Sequence, residues 1–282
     1  MERNFWTKYK RIGLPFLLTV VFVFGACKPT GHVKPSMKLL LVRKSSYKNL
    51  DRVNNLSEIL VADTHADSIS LDSLSIKQRK KEFLNRMLPA ILTIKAKLDF
   101  ERQQVLFLET KKEHSPLEKK FLAKLEKEYQ TRNLKVLAKR LQTFPVSIVL
   151  AQAALESGWG TSRFFQEANN PFGMWSFSDS HARVEALATR SNGKKVYLRK
   201  FKNLRAAVKA YYFMLATRRT FQKFRNMKMK TDNPLKLIQA LNNYSERGSA
   251  YVNDLASVIT FNHLDKYDDF EIGPQYLADN IQ

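Results

Sequence analysis

From residue 76 onward, apolar positions recur at helical spacing along most of the chain. Phe83, Leu84, Met87, Leu88, Ile91, Leu92, Ile94 and Leu98 follow helical steps with charged residues on the other side. That pattern predicts an amphipathic helix, with a break expected at Pro89. Ser115-Pro116-Leu117-Glu118 has the form of a capping box with proline at the first helical position, predicting a helix to about Gln130. A short helix is expected from Asn133 to Thr143. The pattern then changes: Val146, Ile148, Val149, Leu150, Ala151, Ala153, Ala154 and Leu155 leave no broad polar face, which predicts a buried helix that Pro145 starts and Gly158 stops. Across residues 182–201 the period shortens, with Val184, Ala186 and Ala188 alternating before Ser191-Asn192-Gly193 and a β-forming return from Lys195 to Phe201. This predicts an antiparallel hairpin. Helical spacing resumes at Asn203, with Leu204, Val208, Tyr211, Tyr212 and Leu215 facing inward. A helix capped by Asn233-Pro234 should end near Tyr244. A last one, capped by Ser249, should run to about Asn262 with Tyr251, Val252, Leu255, Val258 and Ile259 inward. The predicted fold class is mainly α (α+β), a helical domain with a small β-hairpin lobe.

Glu156 stands out because of what precedes it. Eleven residues, Pro145 to Leu155, carry no other ionisable group, and Gly158-Trp159-Gly160 follows. At the C-terminal end of a buried helix, desolvation and the negative end of the helix dipole both disfavour a charged carboxylate. A carboxyl protonated near neutral pH is what a general acid requires. Glutamates in last helical turns are ordinarily solvated surface residues, and it is this context that separates Glu156 from them. Trp159, Phe172, Trp175 and Phe177 cluster around it in sequence. Large aromatics beside a buried helix are often core, and Trp159 is expected mainly to pack. Asn169 and Asn170 suit either loop-pinning or ligand contact, with loop-pinning the expectation.

Charge and the N-terminus change the picture of where the chain works. The formal charge is +22 at pH 7, and between His181 and Lys230 there are 15 basic residues against Glu185 alone. Such a surface suits an anionic environment: nucleic acid, lipid headgroups or an acidic cell-wall polymer. Residues 1–26 combine Arg3, Lys8, Lys10 and Arg11 with an apolar run of 15 residues from Ile12 to Ala26, the form of a secretory signal and short for a spanning helix. Cys27 is the sole cysteine and follows Gly25-Ala26, a pattern similar to the bacterial lipoprotein signal, in which that cysteine is the lipid-attachment site. The expected localisation is therefore the cell envelope, with a membrane partner through a lipid anchor and no nucleic acid, for which no binding motif is present. Residues 27–75 show no sustained period and are expected to form a tether. Within them Asp63-Thr64-His65-Ala66-Asp67 lacks a second histidine at ligand spacing, so a solvated turn is expected and no metal or other cofactor.

Leu150-Ala-Gln-Ala-Ala-Leu-Glu-Ser-Gly-Trp-Gly-Thr-Ser162 followed by Ala168-Asn-Asn-Pro-Phe-Gly-Met-Trp175 resembles the signature of the peptidoglycan N-acetylglucosaminidases of glycoside hydrolase family 73, in their Bax-like branch. Asn243-Tyr-Ser-Glu-Arg-Gly248 with Tyr251-Val252 is similar to a second motif of that branch, and the resemblance spans about residues 76 to 265. It implies a lysozyme-like fold divided into a helical extension over 76–132, a catalytic domain over 133–267 and an acidic tail over 268–282. It implies, too, cleavage of the β-1,4 linkage after N-acetylglucosamine in peptidoglycan glycan strands, with Glu156 as general acid. Tyr251 and Tyr244 become site candidates by the same resemblance, and Trp175, Phe172 and Asn170 candidate substrate contacts. Glycoside hydrolysis usually uses a second group. The family places a carboxylate on the hairpin, where this chain has Ala188-Thr189-Arg190; Glu185 is the hairpin's remaining candidate, Asp179 precedes it, and assistance by the sugar's own N-acetyl group is the alternative. A muramidase or lytic transglycosylase on the same fold, or a binding protein without catalysis, also stays open.

Overall fold

The computed structural model describes residues 70–189 and 195–270, together with the residue pairs Lys38–Leu39 and Leu277–Ala278. The expected signal segment, Cys27, the turn around His65, the hairpin tip at 191–193 and most of the acidic tail lie outside the described residues. Strand β1 (Lys38–Leu39) pairs antiparallel with β4 (Leu277–Ala278). No helix among the described residues is long and apolar enough to cross a membrane.

Helix α1 (Ile76–Glu109) is a single helix of 34 residues, opened by a complete capping box between Ser75 and Gln78. The expected break at Pro89 does not occur. Proline in a helix interior costs about 3 kcal/mol, but Leu88, Ala90, Ile91 and Leu92 around it are all buried, so tertiary packing holds the helix through it. The capping box of α2 (Pro116–Tyr129) forms as expected, both of its hydrogen bonds being present, and Asn133 caps the short α3 (Leu134–Arg140). Helix α4 (Val146–Ser157) has ten of its twelve residues buried and ends at Gly158, whose φ of 58° is the left-handed C-terminal conformation glycine favours. Two further helices were not anticipated from the pattern: α5 (Arg163–Ala168) and, after α6 (Leu204–Thr217), α7 (Gln222–Lys228). Helix α8 (Pro234–Leu237) continues as a 3₁₀ turn to Leu241, and α9 (Ser249–Phe261) closes the bundle. Ser249 is the first residue of α9 and not its cap; Gly248 holds the capping position without a side-chain bond.

The hairpin forms between β2 (Arg183–Thr189) and β3 (Lys195–Arg199), with Arg183 opposite Arg199 and Glu185 opposite Tyr197. A register shift between Glu185 and Thr189 marks a bulge. The loop after α5 runs alongside β3: the Ser176 amide donates to the Tyr197 carbonyl at 2.8 Å, and the Arg199 amide donates to the Met174 carbonyl at 2.9 Å. In this way the hairpin and the Phe172–Phe177 loop form one wall.

One hydrophobic cluster runs from Leu71 to Phe270, with α4 packed between α1 and α9. The core therefore does not divide at residue 132, and it extends at both ends past the expected boundaries. Leu71 is fully buried in a 3₁₀ turn ahead of α1. At the other end, Asp268 accepts bonds from the Ser147 amide (2.7 Å) and the Ser147 hydroxyl (2.8 Å). Pro145 gives α4 no side-chain cap, so a carboxylate from 121 residues further along serves its first turn. Gly160 shows how closely Leu71 is fitted: a Cβ there would lie 2.4 Å from Leu71 Cδ1, at a φ of +82°. Gly160→Ala is therefore expected to destabilise the protein by about 2 kcal/mol. A thermal melt with no fall in Tm would contradict this packing.

Candidate active site

Helix α4 buries one side-chain amide, Gln152, one turn before Glu156. Gln152 is fully buried, and a buried amide needs partners. It finds them on two other helices. The Tyr211 hydroxyl of α6 donates to Gln152 Oε1, and Gln152 Nε2 donates to the Tyr251 hydroxyl of α9 at 2.9 Å. Tyr251 in turn donates to Glu156 Oε1 at 3.0 Å. The chain is directional, because an amide oxygen only accepts and an amide nitrogen only donates. With its oxygen receiving the Gln152 N–H, Tyr251 presents its proton to Glu156. Burial pushes the phenols of Tyr211 and Tyr251 well above the ordinary tyrosine range, so both remain protonated donors.

Glu156 opens to solvent at the floor of a cleft of about 480 Å³. Its walls still displace enough water that burial raises the carboxyl pKa, opposed by the lowering effect of the Tyr251 bond. Desolvation is thus the leading cause, and the helix terminus invoked from sequence is not needed. Since Oε1 is taken by Tyr251, Oε2 is the oxygen left to carry a proton. It faces Gly173, where a Cβ would come within 3.8 Å of it. The loop passes Glu156 as bare backbone with φ of +60°, keeping the approach to Oε2 open.

The cleft is lined by Phe172, Trp175 and Phe177 from the loop, Phe213 and Met214 from α6, and Tyr244. Trp175 and Phe177 are 47% and 72% exposed and lie roughly parallel at 6.2 Å, forming an aromatic ledge. Phe172 is only 3% exposed and stacks on Tyr211 at 4.1 Å, so it supports the core as well as the cleft. Tyr244 lies flat on Tyr251 at 5.4 Å and 9°. Two cations, Arg199 and Arg218, complete the lining and had not been singled out from sequence.

Other expected site residues lie elsewhere. Asn170 is 1% exposed and spends its side chain on the loop: Nδ2 donates to the Met174 and Arg199 carbonyls and Oδ1 accepts from the Met174 amide, each at 2.9 Å. Of the two uses open to it from sequence, loop-pinning is the one seen: three bonds tie the amide to its own wall, and at 1% exposure it is out of reach as a substrate contact. Tyr251 is 3% exposed and sits behind Glu156, outside the lining. Glu185 is exposed on β2, paired with Lys195 at 3.1 Å, and does not line the cleft. Asp179 pairs with Arg183. Trp159 packs edge-on against Phe83 at 5.5 Å, under the Lys80 ammonium. Gln152 was missed by sequence reasoning, although its signal was present: an amide inside a mostly apolar helix, four positions before Glu156.

Comparison with known proteins gives the family. Residues 131–264 match the glucosaminidase family, described as mannosyl-glycoprotein endo-beta-N-acetylglucosaminidase. Protein bax of Escherichia coli (strain K12) is 30% identical over 191 residues, covering 63% of this chain and 67% of that protein. The chain belongs to this glucosaminidase family and is a glycoside hydrolase. Among solved structures, the catalytic domain of the autolysin Auto from Listeria monocytogenes is 17% identical with a TM-score of 0.39, covering 60% of this chain and 97% of that one. A peptidoglycan hydrolase from Sphingomonas sp. A1 is 22% identical with a TM-score of 0.37, covering 52% and 85%.

Replacing Tyr251 by Phe removes the bond that lowers the Glu156 pKa. With Glu156 as the reacting acid, the alkaline limb of the kcat/KM profile is expected to move to higher pH. Rate at the optimum should fall about tenfold or more as the carboxyl loses its orientation. A pH profile of Tyr251→Phe with an unmoved limb would remove Tyr251 from this role.

Proposed function

We propose that this protein cleaves the β-1,4 linkage after N-acetylglucosamine in peptidoglycan, with Glu156 as the general acid. The observation that carries the reading is a single carboxyl at the floor of an aromatic-lined cleft, with raised pKa, one oxygen engaged by Tyr251 and the other open. Glu156 Oε2 gives its proton to the departing glycosidic oxygen as the bond to the anomeric carbon breaks. The Trp175–Phe177 ledge offers apolar faces to sugar rings. Tyr251 is a positioning residue, since it reaches the reacting atoms through Glu156. The basic surface suits an acidic polymer, and an exported chain anchored through Cys27 would meet that polymer in the cell envelope.

No second carboxylate lines the cleft among the described residues. The hairpin tip over 190–194, Arg-Ser-Asn-Gly-Lys, has none in its sequence. This favours assistance by the substrate: the N-acetyl oxygen attacks the anomeric carbon as the glycosidic bond breaks, and water then opens the cyclic intermediate and returns a proton to Glu156. Glu185 has no part in that sequence of steps.

Digestion of purified sacculi followed by mass spectrometry of the new ends tests the linkage. Reducing N-acetylglucosamine ends are expected, whereas N-acetylmuramic or anhydro-muramic ends would replace this reading by a muramidase or transglycosylase. Glu156→Gln should lower the rate about a thousandfold. It should not lower Tm at neutral pH: a carboxyl whose folded pKa is raised stabilises the fold only below that pKa, and the benefit is lost as pH rises through it. Full activity in Glu156→Gln would end the proposal. Glu185→Gln is expected to lose less than about tenfold in kcat, and a larger loss would restore the paired-carboxylate route.

A further inference from the structure

A second cavity, of about 340 Å³, opens between α3 and the junction of α6 with α7. Its lining is Val136, Lys139, Arg140, Thr217, Arg219, Gln222 and Arg225: four cations and no carboxylate. Like charges gathered into one concave site repel one another, and such an arrangement calls for an anion to balance it.

Two of the cations, Arg225 and Arg140, are held by backbone carbonyls and a third, Lys139, by a side-chain amide, none of them by an acid. Arg225 is only 8% exposed; its Nη1 donates to the Leu215 carbonyl at 2.6 Å and the Arg218 carbonyl at 3.0 Å. Arg140 donates through Nη1 to the Tyr129 carbonyl, at the C-terminal end of α2, and Lys139 donates to Asn226. These bonds fix three of the four groups while leaving their charges uncompensated. Among the described residues none of the four has an acidic side chain within salt-bridge distance. Burial lowers the Arg225 pKa, with a smaller contribution from the Arg140 charge beside it.

The cavity adjoins the cleft. Thr217 lines both, Arg218 lines the cleft while its carbonyl is held by Arg225, and Arg219 lines the cavity. A ligand extending sideways from a strand in the cleft would meet these cations first.

We propose that this cavity is an anion subsite for the carboxylates of the peptide stem carried by a glycan strand lying in the cleft. The inference rests on the peptidoglycan reading and adds to it the part of the polymer that is recognised beyond the sugars. An arginine fork such as Arg219 suits a carboxylate by bidentate hydrogen bonding, and Lys139 adds a point charge. Arg219 is exposed, and among the described residues no side-chain hydrogen bond or ion pair holds it.

The test compares the full-length protein with its Lys139→Ala/Arg219→Gln variant on two substrates: stem-bearing glycan strands, and strands from which an amidase has removed the stems. On stem-bearing strands the variant should lose about tenfold in kcat/KM, mostly through KM. On denuded strands it should match the parent, which also shows that the cleft is intact. Equal loss on both substrates, or no loss on either, overturns the subsite. Co-sedimentation with phosphatidylglycerol vesicles forms a third arm: vesicle binding abolished by the double substitution, with stem preference unchanged, would overturn it in favour of a headgroup site. If the parent cleaves neither substrate, the function proposed above fails instead.

Discussion

Burying Gln152 constrains this structure more than any other single feature. An unpaired amide in the core would cost about 1–3 kcal/mol, and its two partners, Tyr211 and Tyr251, come from helices far apart in sequence. Satisfying that amide fixes α6 and α9 relative to α4, and the same bonds aim the Tyr251 proton at Glu156. Packing and chemistry therefore rest on one hydrogen-bonded chain. An apolar residue at position 152 would remove the polar demand, but Tyr251 would then lose the donor that sets its direction.

Around that chain the fold holds α4 at both ends. Asp268 closes its N-terminus and the left-handed Gly158 turns the backbone away at its C-terminus. Leu71 fills the space beneath Gly160, so the turn that follows Glu156 rests on the segment that leads into α1. The cleft wall is stiffened differently, by Asn170 bonding to Met174 and Arg199 and by the loop pairing with β3. A rigid floor, a pinned aromatic wall and a carboxyl with one free oxygen are the preorganised parts that acid catalysis needs.

Charge adds a second level of organisation. The cleft combines Glu156 with Arg199 and Arg218, and the adjoining cavity gathers four more cations with no acid. The basic excess between His181 and Lys230 is thus partly concentrated next to the cleft floor, where charge acts at short range and with less screening than on an open surface.

Much of this was legible in the residues alone. Helical spacing located α1, α4, α6 and α9, the turn-forming Ser191-Asn192-Gly193 located the hairpin, and the uninterrupted apolar run singled out Glu156. Local rules are enough for such features, because periodicity, caps and turns depend on near neighbours in the chain. The same rules failed where distant contacts outweigh them: Pro89 stays inside a helix that is buried on both sides of it. Sequence also determined that the hairpin tip holds no carboxylate. Only the tertiary structure decided that Glu185 lies outside the cleft, that Tyr251 stands behind Glu156 with Gln152 directing it, and that Lys139 and Arg140 share a cavity with Arg219 and Arg225. The physical reason is that hydrogen-bond direction, desolvation and charge convergence are properties of groups brought together across long stretches of chain, and no spacing along the sequence encodes them.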